Sequence, residues 1–141
     1  MATYYVSATT GNDSNDGSSI ANAKATIGAG ENLATSAGDV VYIAPGTYRE
    51  TITHGYSGTQ ANRIYFIGDP DCEIFGNAVP PGVIRVTDAD VNEFASDTHN
   101  KYLINSNGRD HITWKNVHTA GVTGGVNAYN DANYGYGFRA S

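Results

Sequence analysis

The amino-acid sequence predicts an all-β protein whose short strands stack as the coils of a solenoid, and three observations lead to this prediction. The 141 residues include 17 glycines and 10 tyrosines and only 16% are charged, a composition typical of many short strands joined by tight turns. From Val40 onward, strand candidates recur, each bounded by Gly, Pro, Asn or Asp. Their inward-facing apolar positions repeat at steps of about 20 to 28 residues, the range of a solenoid coil.

The N-terminal segment is predicted to hold one strand, one polar loop and one helix. The strand lies in "TYYVS", and the loop is "GNDSNDGSS", which contains only turn-forming residues. A weak apolar stripe predicts a short helix around residues 25–36, in which Gly28 and Gly30 each lower the helix propensity by about 1 kcal/mol. Residues 1–39 form this segment, and residues 40–141 form the first coils.

The strand candidates of the second segment all alternate or run apolar between turn residues. They are "VVYIA" at 40, "ETIT" at 50, "RIYFIG" at 63, "CEIF" at 72, "GVIRV" at 82, "YLIN" at 102, "HITWKNV" at 111 and "YGYGFRAS" at 134. Their inward positions are Val41, Ile64, Ile84, Ile112 and Phe138. A Greek-key sandwich would also contain many short strands, but it would need neither a helix at the front nor this recurrence.

Charge and cysteine content exclude several function classes. The net charge is −6, the pI is near 4.9, and the eight Lys and Arg residues form no cluster in the sequence, so nucleic acid is not an expected partner. The single cysteine, Cys72, cannot form an internal disulfide and is predicted to be a small, partly buried apolar residue. No apolar run is long enough to span a bilayer, and the opening residues lack a secretion signal.

Four stretches in order carry a resemblance to a known family: "YYVSATTGNDSNDGSS", "KATIGAGENLA", "GDVVYIAPGTYRE" and "ANRIYFIGDPDCEIFGN". Together they resemble the N-terminal portion of right-handed parallel β-helix proteins of the pectate-lyase-like superfamily. Similar openings occur in extracellular polysaccharide lyases and in bacteriophage tailspikes and appendage proteins. The resemblance covers roughly the first half of the chain, and the later half fits by its recurrence.

The resemblance implies that the short helix caps the open end of a right-handed parallel β-helix and that "GDVVYIAPGTY" forms the first full coil. Alternation along this coil places Val41 and Ile43 inside and Val40 and Tyr42 outside, before a Pro-Gly corner. Glu31 departs from the family pattern, which has an apolar residue on the cap helix, so either Leu33 takes over its contact or the helix is displaced.

The far end of the sequence is a second departure from the family pattern. The chain ends at "GYGFRAS" without a closing helix, and an uncovered solenoid end promotes aggregation. We therefore expect either further coils in a longer protein or a second subunit over this end.

Three groups of polar residues are candidate sites, but no catalytic residue, metal or cofactor is predicted from them. Asp13, Asn15 and Asp16 are oxygen-rich enough for calcium, but the EF-hand spacing fails and Asx-turns explain the same residues. In "SNGRDHITWKNVH", one Asp and one Lys do not form a lyase site, and an ordinary strand is favoured. The stretch with Asp88, Asp90 and Glu93 could supply a hydrolase pair, although an insertion is the favoured interpretation.

His54 and Gly55 match a dipeptide of polygalacturonases, but the paired-carboxylate motifs that accompany it there are missing. The match is therefore too short to carry an argument. Five tyrosines are instead predicted as carbohydrate-binding residues, because an exposed phenol ring can stack on a sugar and bond to its edge. They are Tyr42, Tyr56, Tyr129, Tyr134 and Tyr136. Strand propensity alone is the competing explanation for them.

Two functions are carried forward. The first is a non-catalytic module of a phage virion protein, such as a tail fibre, tailspike or appendage, directed at a bacterial surface polysaccharide. Other virion subunits, or the homotrimer typical of tailspikes, are its expected partners, and the virion is its expected location because virions leave by lysis without a secretion signal. The alternative is the N-terminal portion of a secreted, extracellular polysaccharide lyase or glycoside hydrolase.

Overall fold

The computed structural model describes residues 1–87 and 104–120, where strands predominate and helix is almost absent, in agreement with the all-β prediction. The strands are β1 (Thr3–Val6), β2 (Val40–Ile43), β3 (Gly46–Arg49), β4 (Ile52–Thr53), β5 (Ile64–Gly68), β6 (Ile84–Thr87), β7 (Ile104–Asn105), β8 (Ile112–Lys115) and β9 (His118–Ala120). One helix, α1 (Ile27–Glu31), and one 3-10 turn (Gly76–Ala78) complete the regular structure of these residues. No helix among them has the length and apolar character that a bilayer crossing requires.

The strands form three sheets, and every strand pair within them is parallel. Sheet A has the order β1-β2-β5-β8, sheet B the order β3-β6-β9, and sheet C contains β4 and β7. From β2 onward, consecutive strands visit sheets A, B and C in turn and then begin again. Parallel strands need a crossover connection, and here the crossover contains strands of the other two sheets.

The inward side chains of sheet A build most of the core. The register places Val41 beside Phe66 and Phe66 beside Trp114, and the two aromatic rings stack with centroids 4.4 Å apart. Val41 and Ile43 are buried while Tyr42 is half-buried, so the predicted alternation is confirmed. One apolar cluster thus runs from β1 to β8 beneath all three sheets.

The predicted spacing of the inward positions was wrong at one point. Ile84 lies in sheet B beside Gly46, whereas Ile64 pairs with Ile112 in sheet A. The interval from Phe66 to Trp114 is roughly twice that from Val41 to Phe66, because long connections enter the second circuit. A constant step therefore assigns one position to the wrong sheet. Phe138 lies outside the described residues.

The predicted strand "CEIF" is a turn instead. The buried carboxylate of Asp69 accepts hydrogen bonds from the backbone N–H groups of Glu73, Ile74 and Phe75 at 2.8 to 2.9 Å. Cys72 adopts φ 55°, which an extended strand does not allow. A carboxylate that gathers three successive donors competes directly with a strand ladder, so the local interaction overrides the apolar pattern.

Helix α1 is shorter than the predicted span and packs against β1, β2 and β4. A Cβ atom at Gly30 would lie 2.5 Å from Val6 Cγ2 and 3.1 Å from Val41 Cγ1, so glycine permits the close approach of α1 to sheet A. The first turn is held by Glu50, whose carboxylate accepts from the N–H groups of Ile27 and Gly28 at 2.9 and 2.7 Å.

The polar loop after β1 folds back along the free edge of that strand. Tyr5 donates its N–H to the carbonyl of Gly17 and accepts from the N–H of Lys24, both at 2.9 Å. Ser7 donates to the carbonyl of Lys24 at 2.8 Å. The backbone groups that an edge strand would expose are therefore bonded within the chain.

We expect Gly30→Ala to lower the free energy of unfolding by about 1–3 kcal/mol, because the new methyl group must displace Val6 or Val41. Gly28→Ala is the matched control. Its Cβ would lie 3.2 Å from Glu50 Oε1 at the end of a flexible side chain, and alanine gains helix propensity. Urea denaturation of both variants is the measurement, and equal effects of the two substitutions would contradict this account of the packing.

Burial raises the pKa of Glu50 above its ordinary value of 4.5, against the two backbone donors, which lower it. The folded state therefore binds a proton more tightly than the unfolded chain, and the contribution of Glu50 to stability falls as the pH rises from 4.5 through the raised pKa. Gln at this position does not titrate. The melting temperature of the wild type minus that of Glu50→Gln should decrease over this pH range. An increase would contradict a raised pKa of Glu50.

Candidate functional site

The structure places two of the five predicted sugar-binding tyrosines, and they lie on different parts of the fold. Tyr42 is half-buried on the outer face of sheet A, where its ring stacks on Tyr5 at 6.0 Å. Tyr56 follows β4 of sheet C and is 43% exposed. Tyr129, Tyr134 and Tyr136 lie outside the described residues. Sugar binding by these five residues stays a prediction.

The outer face of sheet A is partly covered by a second apolar cluster. Its buried members are Ala44, Cys72, Phe75 and Val79, with Tyr5, Ile20 and Tyr42 packed against them. Cys72 is buried, as the sequence predicted, and burial raises the pKa of its thiol, which donates to the carbonyl of Val79 at 3.4 Å. The Tyr42 ring is therefore part of a packed layer and offers less open surface than an exposed strand tyrosine would.

The segment at residues 109–118 is divided between two sheets. Ile112 and Trp114 point into the core, and Lys115 is exposed on the opposite face with its Nζ 5.5 Å from the centre of the Tyr65 ring. After a turn, His118 lies in β9 of sheet B. The strand expected in this stretch is present, and its polar residues are distributed over the turn before β8, β8 itself and β9.

The oxygen atoms of the Asp13–Asp16 loop are engaged by groups of the chain. Asp13 Oδ1 accepts from the N–H groups of Ala25 and Thr26 at 2.8 and 3.0 Å. Asp16 Oδ1 accepts from the N–H and hydroxyl of Ser18, and these two bonds lower the pKa of Asp16. Asp13 therefore holds the residues that precede α1, and Asp16 forms an Asx-turn with Ser18. Among the described residues, no group of three His, Cys, Asp or Glu side chains could hold a metal ion. The acidic stretch with Asp88, Asp90 and Glu93 lies outside them.

A buried polar chain that the sequence analysis missed connects α1 to the core. Trp114 donates its indole N–H to His54 Nε2 at 3.0 Å, so that nitrogen carries no proton. His54 Nδ1 lies 3.6 Å from Glu31 Oε1, which also accepts from the N–H of Gly55 at 2.7 Å. All three side chains are at most 6% exposed. Glu31 thus keeps the helix in place itself, and neither expectation for Leu33 or a displaced helix is needed.

The group of Glu31, His54 and Trp114 contains a carboxylate and an imidazole, as a catalytic pair does, but these side chains are not accessible to a substrate. A general base needs a free nitrogen within reach of a substrate, whereas His54 is 1% exposed and its Nε2 is bonded to the indole. The arrangement therefore stabilises the fold. The sequence signal that could have found it is one polar residue on the apolar face of α1, which requires a buried partner.

The outer face of sheet B gathers cations that are far apart in the sequence. In the register, Thr47, Arg85 and His118 occupy one row across the three strands, and Arg49 and Thr87 occupy the next. We call these five residues the basic face. Its two arginines and its histidine are exposed. The sequence shows no basic cluster because each strand supplies only one or two of these side chains.

Comparisons with known proteins concern the fold alone. No protein-family model matches the sequence, and no curated protein matches it. Similar solved structures include two crystal structures of a GH136 lacto-N-biosidase from Eubacterium ramulus. The selenomethionine derivative has a TM-score of 0.61 at 20% identity and the native protein 0.58 at 22%, with 88% and 87% of this chain covered. This chain spans 21% of the length of each of those chains.

We expect a double-mutant cycle of His54→Phe and Trp114→Phe to show coupling of about 1–3 kcal/mol, because each single change leaves a buried polar group without its partner. The double variant removes donor and acceptor together and should lose less stability than the sum of the single losses. Urea denaturation at one pH gives the four free energies of unfolding. Additive losses would show that the indole–imidazole hydrogen bond contributes no stability.

Proposed function

We propose that this chain forms the first coils of a right-handed parallel β-helix, with α1 as its cap, in a glycoside hydrolase or related carbohydrate-active protein. The A, B, C order of strands and the continuous parallel register support the coiled arrangement. Crossovers between parallel strands of one sheet are right-handed in about 98% of cases, which supports the hand. The division at residue 39 follows the same proposal, since α1 precedes the first complete circuit.

The observation that carries the functional proposal is the structural likeness to the GH136 lacto-N-biosidase over most of this chain. It favours the glycoside hydrolase alternative over the virion module. The comparisons lend no support to a tailspike or appendage, so the virion location and its partners stay predictions. A polysaccharide or oligosaccharide remains the proposed ligand in both cases.

The proposed role of these coils is structural, and the catalytic carboxyl pair belongs to other coils of a longer protein. Five of the described carboxylates support this division, because Asp13, Glu31, Asp39, Glu50 and Asp69 each accept hydrogen bonds from backbone N–H groups. A hydrolase needs two carboxyl groups about 5 to 9.5 Å apart that face a substrate. Side chains that hold loops in place are not free for that task.

The proposal is tested by extending the chain. The source DNA downstream of Ser141 should encode further short strands, and the extended protein should release reducing ends from oligosaccharides. The 141-residue chain at equal concentration should release none. Chromatographic detection of released sugars measures both. Turnover by the 141-residue chain, or an extended protein found only in purified virions without glycan-cleaving activity, would contradict the proposal.

A further inference from the structure

The basic face is a polar surface on a chain whose net charge is negative. Its five residues are Thr47, Arg49, Arg85, Thr87 and His118, so arginine, hydroxyl and imidazole donors alternate on neighbouring strands. Strands of a sheet lie about 4.8 Å apart, so the rows present donors at a short and regular interval. All five residues are polar, and the exposed apolar side chain of Val83 directly precedes β6.

Its positive charge is not neutralised by the described part of the chain. Within residues 1–87 and 104–120, no ion pair is recorded for Arg49, Arg85 or His118. The acid that follows Arg49 in the sequence, Glu50, directs both oxygens to the start of α1 instead. Both guanidinium groups are exposed, on a chain whose net charge is −6.

The side chains of the basic face indicate which chemical groups its ligand carries. A guanidinium group binds a carboxylate or sulfate through two parallel N–H donors, and threonine and histidine side chains bond to hydroxyl groups. A molecule that offers both kinds of group at short intervals is a charged sugar chain. Because the rest of the chain is acidic, a polyanion would be held at this face and repelled elsewhere.

We propose that the basic face binds an anionic glycan, with Arg49 and Arg85 on its carboxylate or sulfate groups and Thr47 and His118 on its hydroxyls. The inference takes a glycan as the ligand class from the proposed function and adds the charge of the ligand and the surface that binds it. Binding at the basic face can be measured with the 141-residue chain alone, whether or not a longer protein cleaves glycans.

The test uses polymers with one backbone and different charges. Carboxymethyl-dextran and dextran sulfate should bind the 141-residue chain in biolayer interferometry at low salt, and neutral dextran should bind far more weakly. Arg49→Gln/Arg85→Gln should weaken binding at least about tenfold, as expected for the loss of two charge-assisted contacts. Arg109→Gln, an exposed arginine in the turn before β8, makes half the charge change at another place and should leave the affinity within about twofold. Circular dichroism confirms the fold of each variant.

Each outcome decides the inference. Binding of one charged dextran or of both supports it and identifies the oxyanion. No binding of either, an unchanged affinity of the double variant, or equal binding of polyglutamate with the same dependence on the two arginines would overturn it. Glycan cleavage by an extended protein would survive such a failure, so the proposed function is judged separately.

Discussion

The parallel register of sheet A is the constraint on which the other features depend. Each return of the chain to this sheet places inward side chains directly beside those of the neighbouring strand, as in the stacked rings of Phe66 and Trp114. A slip by one residue would turn these rings outward and move polar residues into the core. The positions of sheets B and C follow, because their strands lie on the connections between successive strands of sheet A.

Carboxylates are the second means of holding the chain. Asp39 and Asp69 are almost fully buried; Asp39 accepts from the N–H groups of Ala2 and Ser36, and Asp69 from those of Glu73, Ile74 and Phe75. Such bonds satisfy donors that would otherwise be buried without a partner. The acidic side chains argue against nucleic acid as a partner, and they also hold the loops by accepting hydrogen bonds from the backbone.

Local patterns predicted the strands well and the loops poorly. Alternation identified β2 and β5 because one face of each strand is buried, and periodicity of two is a local property. The prediction of a strand at residues 72–75 was wrong, because hydrogen bonds to the side chain of Asp69 determine the backbone there and outweigh the strand propensity of these residues. The sequence pattern also failed for Glu31, since its partners His54 and Gly55 follow β4 and are more than twenty residues away in the sequence. The basic face could not be predicted for the same reason: strand register, which composition does not reveal, brings Arg49 and Arg85 to one surface.

The loop that covers the outer edge of β1 determines at which edge sheet A can gain further strands. Because Tyr5 on that edge is already bonded to Gly17 and Lys24, a further strand can join sheet A only at the opposite edge, beside β8. β1 and residues 17–24 are synthesised before the other strands of sheet A, so this edge can close before most of the sheet exists. The covered edge is then not open to pairing with a second chain.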